Sequence, residues 1–208
     1  MKRPQRSTAR KIIEKQPGIA GLEMGWFKKP GRGWRPTEGL RDAESVKMHR
    51  KRGETVSLHT HPTGGTSTIS AQASFEDLAV WRGNLPKMNT HHIACINSEG
   101  KVVGYVTYLL RNTFNRAFSR LAKQHGIDLW RFLTAQKKQI AKHGGEIHGQ
   151  LIREGHLKVR FTPMPGYGYA TLNKFFFKKS EFIYDESSGL ASWKPKIKLP
   201  TPKGVGFL

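Results

Sequence analysis

Apolar and polar positions alternate in short runs over the first half of the chain and change to a helical period at Phe114. Ser7 to Lys15 reads as a short helix with Ile12 and Ile13 turned inward, stopped by Pro17-Gly18. Gly21 to Phe27 reads as a strand blurred by glycines, and Lys28 to Pro36 as a basic loop rich in breakers. Glu54 to Leu58 favours a strand that leads into His59, and Pro62 ends it. Phe75 to Trp81 predicts a helix with Leu78 and Trp81 on one face, Ser74 as its N-cap and Asn84-Leu-Pro-Lys at its close. His92 to Ile96 and Val102 to Tyr108 follow as two strands joined by a turn at residues 97–100.

After Phe114, the positions Phe118, Leu121 and Ala122 continue a helix that ends at His125-Gly126. Asp128 is placed to cap a second helix through Leu129, Phe132, Leu133, Gln136 and Ile140, ending at Gly144-Gly145. Leu157 to Phe161 alternates as a strand, and Pro163 to Tyr169 is rich in turn residues. His148 and His156 lack a metal-ligand spacing and read as surface residues. The stretch from Thr171 to Tyr184 holds Phe175-Phe-Phe177 among lysines, an edge strand or a stacking platform for single-stranded nucleic acid. The pattern divides into a basic arm (1–6), a folded domain (7–185) and an extended basic tail (186–208), with no internal repeat.

Charge is what most alters this picture. Lys and Arg total 36 against 15 acids, a formal net charge of +21 in 208 residues. Such an excess suits a polyanionic neighbour, nucleic acid before anionic membrane, without implying that any base sequence is read. Trp34 in the basic loop could stack on a base or fold back on the domain. Cys95 is alone, so an intrachain disulfide and a thiolate-based zinc finger are both excluded. A metal-dependent nuclease or deaminase is disfavoured: aspartates are few (Asp42, Asp77, Asp128 and Asp185), and the deaminase type would need two cysteines beside its His. Cys95 sits in the apolar run 93–96, where a buried thiol is expected. No apolar run reaches membrane-span length and residues 1–6 lack a secretory signal's apolar stretch. A soluble, cytoplasmic protein is the expectation.

The candidate chemistry lies between His59 and Asp77. His59 and His61 are two apart on a predicted strand and so share a face. Pro62 and a Gly-Gly loop follow, and Asp77 falls in the first turn of the next helix. Two imidazoles and a carboxylate are a donor set that a catalytic zinc takes while keeping one position open. The other reading of the pair is two histidines with no metal.

His59-Thr-His61-Pro62 followed by Ser74-Phe-Glu-Asp77 resembles the signature of the JAMM (MPN/JAB) zinc metalloprotease family. Eleven residues, Thr63 to Ala73, separate the halves, a few more than is usual there, as a short loop insertion would produce. The resemblance covers about residues 7–110 and implies a curved mixed β-sheet flanked by helices, an α+β fold, with the metal at the sheet edge. It implies Zn2+ on His59, His61 and Asp77, and Ser74 supporting the oxyanion or the activated water. An upstream Glu would serve as general base. Glu23, between Gly21 and Gly25, fits that order better than Glu14, Glu38, Glu44 or Glu54. The implied activity is hydrolysis of peptide or isopeptide bonds, with ubiquitin-like modifiers on lysine as substrate class. The alternative is an MPN-like scaffold that binds nucleic acid or a ribonucleoprotein through its basic surface. His91 and His92, being adjacent, face opposite ways, so at most one could join the site.

Overall fold

The computed structural model describes residues 13, 23–37, 48–61, 73–96, 101–131, 133–166, 182–185 and 190–193. Among them the strands are β1 (Gly25–Lys28), β2 (Trp34–Pro36), β3 (Val56–His61), β4 (Thr90–Ile96), β5 (Val102–Leu110), β6 (Leu157–Pro163), β7 (Phe182–Asp185) and β8 (Leu190–Trp193). The helices are α1 (Phe75–Asn84), α2 (Phe114–Gln124) and α3 (Lys137–Arg153), the last preceded by a 3-10 turn at Leu133–Gln136. All eight strands form one sheet in the order β2-β1-β3-β4-β5-β6-β8-β7. β3 and β4 run parallel and the other pairings are antiparallel, so the sheet is mixed and the class α+β.

A parallel pair cannot be closed by a hairpin, and α1 supplies the crossover between β3 and β4. The pleat then sorts the side chains. Ile93 and Cys95 join a core with Leu78, Trp81, Phe114, Phe118, Leu121, Ile147 and Leu151 of the three helices. Ala94 and Ile96 join a smaller core on the other face with Ile13, Met24, Trp26 and Leu58. His59 lies opposite Ile93 and His61 opposite Cys95 in the register, so both histidines face the helices. Cys95 is a buried free thiol, and burial pushes its pKa well up.

Several elements depart from the pattern reading. Residues 34–36, expected as loop, form β2 and make a hairpin with β1. Trp34 is folded back, with the Lys28 Nζ 5.5 Å from its ring centroid and His92 edge-on to it. α3 begins at Lys137 and runs through Gly144-Gly145 to Arg153. Glycine lowers helix propensity but does not forbid a helix when packing on both sides holds it. Here Gly144 packs against Phe75, and Ile147 and Leu151 are fully buried one and two turns on. His148, expected at the surface, is therefore carried inward, 2% exposed and stacked on Tyr108. Burial lowers its pKa to about 4. Residues 190–193, within the expected tail, are a strand of the sheet. The 1–6 arm, the 62–72 loop, the 97–100 turn and Phe175–Phe177 lie outside the described residues.

Candidate metal centre

Three side chains from two elements meet at the carboxyl end of β3. His59 Nε2 and His61 Nε2 are 3.0 Å apart, the consequence of two rings on one face of the strand. His59 Nε2 lies 3.4 Å from Asp77 Oδ1, and His61 Nε2 lies 3.7 Å from Asp77 Oδ2. Tetrahedral zinc with bonds of about 2.0–2.1 Å holds its ligand atoms roughly 3.3 Å from one another. The His59–His61 and His59–Asp77 Oδ1 spacings bracket that edge length, the His61 distance being to the other carboxylate oxygen, and the two imidazoles disfavour magnesium or calcium as the occupant. His59, His61 and Asp77 are a group that could hold a metal ion. The centre stands at the end of an interior strand, third in the sheet order, rather than at the sheet edge expected from the resemblance.

Local sequence explains why Asp77 is there. Ser74 is the N-cap of α1; its Oγ accepts the Asp77 N–H at 3.0 Å, and Asp77 Oδ2 accepts the Ser74 N–H at 2.8 Å. This reciprocal capping box fixes the carboxylate in the first helical turn. Ala73 is tied back by its N–H donating to the Tyr108 hydroxyl at 2.8 Å. Burial would raise the Asp77 pKa, but the charges and hydrogen bonds of His59 and His61 outweigh it and hold the carboxyl well below its usual range. The amino end of α1 favours the same charge.

Glu23 lies beside the triad without belonging to it. Its Oε1 is 3.9 Å from His61 Nε2. Its position follows from Met24, whose N–H donates to Thr60 Oγ1 at 2.9 Å and whose carbonyl accepts the Thr60 N–H at 2.9 Å. Thr60 stands between the two histidines, so pinning Met24 to it sets Glu23 next to them. Gly25 permits close approach here, since a Cβ would meet the Met48 side chain. Among the other acids considered, Glu54 is engaged elsewhere. Arg35 donates to it twice, from Nε at 2.6 Å and from Nη2 at 2.9 Å, and the Lys51 N–H adds a third bond at 2.6 Å. Glu14, Glu38 and Glu44 lie outside the described residues.

His59, His61, Asp77, Glu23 and Ser74 all line one cleft of ≈ 480 Å³, with Phe27, Val80, Trp81 and Met88 as its apolar lining. Trp81 is the buried support: its ring lies 6.2 Å from that of His59 and stacks on His91 at 4.3 Å. His91 lies behind the ligands with Nδ1 2.6 Å from Ser57 Oγ, and burial above all lowers its pKa to about 3. His92 faces the opposite side, 2.8 Å from Thr107 Oγ1. Neither belongs to the ligand set. Ser57 shares the strand face of His59 at the same two-residue spacing, the one sequence signal for its support of His91.

No family model, curated protein or solved structure matches the chain. Function must therefore be argued from the centre itself. Among the described residues, no helix is long and apolar enough to cross a membrane.

Proposed function

We propose that the chain is a zinc-dependent hydrolase of the JAMM/MPN type that cleaves a peptide or isopeptide bond. One observation carries the reading: His59, His61 and Asp77 converge at ligand spacing with Glu23 beside them in a single cleft. The chain order of a strand ending in His-x-His, a capped helix bearing the Asp, then a hairpin is the further support for the MPN-type fold. When bound, zinc supplies Lewis acidity, polarising a carbonyl and bringing the pKa of a water to about 7.

The chain's own residues do the rest. Glu23 accepts a proton at its carboxylate from the attacking water and returns it to the leaving amine. It stands outside the His59, His61 and Asp77 group, 3.9 Å from His61 Nε2, and would not be needed as a ligand. Ser74 Oγ accepts a backbone N–H, and its own O–H is not used in that bond. That proton is directed to the developing oxyanion. The apolar walls around these groups lower the local dielectric and strengthen both interactions. Ubiquitin-like modifiers conjugated to lysine are the substrate class that accompanies this type.

The test is zinc content and turnover on untagged protein. About one zinc should be lost on His59→Ala/His61→Ala. Glu23→Gln should keep that zinc while losing roughly 10²–10⁴-fold in turnover. Parent-level turnover in Glu23→Gln would overturn the assignment.

A second reading rests on the charge of +21. The exposed Trp130 ring, with the Arg82 guanidinium 4.8 Å from its centroid, adds a stacking surface. Nucleic acid or a ribonucleoprotein is the partner this suits, whether the chain is a scaffold or an enzyme held in place by it. Binding to single-stranded RNA that weakens steeply with salt would support it, and salt-independent binding would count against it.

A further inference from the structure

A second group of metal-binding side chains lies away from the cleft. His125, His143 and Glu146 each bring a donor atom within 4.8 Å of the others. His143 Nδ1 stands 3.8 Å from Glu146 Oε2, and the rings of His125 and His143 stack at 4.6 Å. We infer that these three residues form a structural site for zinc or a similar transition-metal ion, clamping the end of α2 to the middle of α3.

Four features of the chain support this. The donors come from two elements, so one ion joins α2 to α3, which also share the Arg120–Glu154 ion pair at 2.7 Å. His125 is the C-cap of α2, with its N–H bonded to the Leu121 and Ala122 carbonyls, and Gly126 turns the chain away at φ 70. A cation there meets the negative end of the helix dipole. His143 and Glu146 flank Gly144-Gly145, the stretch of α3 with the lowest intrinsic helix propensity. An ion held at i and i+3 restrains that turn directly. Finally, two of the three donors are imidazoles, whose directional bonds hold an ion against the net charge of +21 that repels cations in general. Two imidazoles and one carboxylate prefer zinc to magnesium or calcium.

The site also has a route to the cleft. Ile140, Gly144, Gly145 and His148 of α3 line a second cavity together with His61 and Ser74. Holding the glycine pair helical holds that wall in place. The bonds to the ion would be structural, with water completing its coordination.

The test uses the full chain without a histidine tag, stripped with chelator and then dialysed against zinc alone or magnesium alone. In the His59→Ala/His61→Ala background, about one zinc per chain should remain, and zinc should raise the melting temperature. Adding His125→Ala/His143→Ala should abolish both effects, while far-ultraviolet circular dichroism shows the fold retained. Glu146→Gln, at an exposed position, should weaken zinc binding. Magnesium should bind at neither level. Should the cleft substitutions unfold the chain, the count moves to the parent, where His125→Ala/His143→Ala alone should remove one zinc. Zinc binding that is the same with and without His125 and His143 would overturn the site, whatever the fate of the cleft. A cleft that binds no metal would leave this zinc in place, so the two readings fail separately.

Discussion

The two histidine clusters use the same donor types and differ in how firmly each is held. In the cleft, the spacings are 3.0, 3.4 and 3.7 Å, and the carboxylate is fixed by a capping box. At the α2–α3 junction His143 Nδ1 and Glu146 Oε2 are 3.8 Å apart, and the Glu146 side chain is 53% exposed. Glu23 stands beside the cleft cluster, 3.9 Å from His61, whereas Glu146 is itself one of the junction donors. The difference separates a preorganised centre with a proton acceptor from a clamp that must close around its ion. Preorganisation raises affinity because less freedom is lost on binding, so zinc should fill the cleft first and the junction at higher concentration.

Turnover should separate them most sharply. His59→Ala/His61→Ala should abolish hydrolysis, and Glu23→Gln should come close to it. His125→Ala/His143→Ala should keep most of the turnover at 25 °C and lose its zinc-dependent gain in melting temperature. Equal loss of turnover in both double variants would erase the distinction, because the junction would then be part of the chemistry.

The far face of the sheet supplies a control that involves neither cluster. Burial, with the charge of Lys28 adding to it, lowers the His92 pKa from 6.5 to about 4. Between those values the unfolded chain binds a proton that the folded chain does not, so stability is full above pH 6.5 and falls as the pH drops toward 4. The loss from His92 is at most about 3 kcal/mol. Its neighbours are Thr107, Trp34 and Lys28, none of them a ligand. His92→Gln should flatten part of this acid slope in urea melts at pH 7.5 and 4.5 and leave zinc content unchanged. An unaltered slope would show that the acid sensitivity comes from other groups.

Ser74 divides structure from chemistry within the cleft. Ser74→Ala removes an N-cap oxygen and should cost about 1 kcal/mol, whereas Ser74→Gly should cost only a few tenths. Both lose the hydroxyl, so both should lose turnover alike, by about 10²-fold or more if the O–H supports the oxyanion. Turnover that tracks stability instead would leave Ser74 as a cap alone.

What could be read from the sequence was local. Ser74-x-x-Asp77 is legible because a capping box is formed within one turn, and His59-x-His61 because strand side chains repeat every two residues. The pairing of Glu54 with Arg35, nineteen residues apart, has no such local mark. The same limit hid β2 and β8, three- and four-residue strands defined by their neighbours. Gly144-Gly145 predict an end to α3 because propensity is local, while the contact of Phe75 with Gly144 and the burial of Ile147 are not. The junction cluster is hidden for the same reason, since His143 and Glu146 fall on one helix face only if the helix continues.

Gly145 is the smallest lever on the comparison and tests why a clamp would be placed there. A Cβ at Gly145 meets nothing within 4 Å. Gly145→Ala should therefore stabilise α3 by roughly 0.8–1 kcal/mol through helix propensity alone, raising the melting temperature of the zinc-free chain by about 2–4 °C. If the ion at His125, His143 and Glu146 restrains this turn, the substitution should shrink the further gain that zinc gives, because part of the ordering is already present. Thermal melts of Gly145→Ala and parent, each with and without zinc in the His59→Ala/His61→Ala background, measure that coupling. Strictly additive gains would mean that the ion holds the two helices together without acting on the glycine turn.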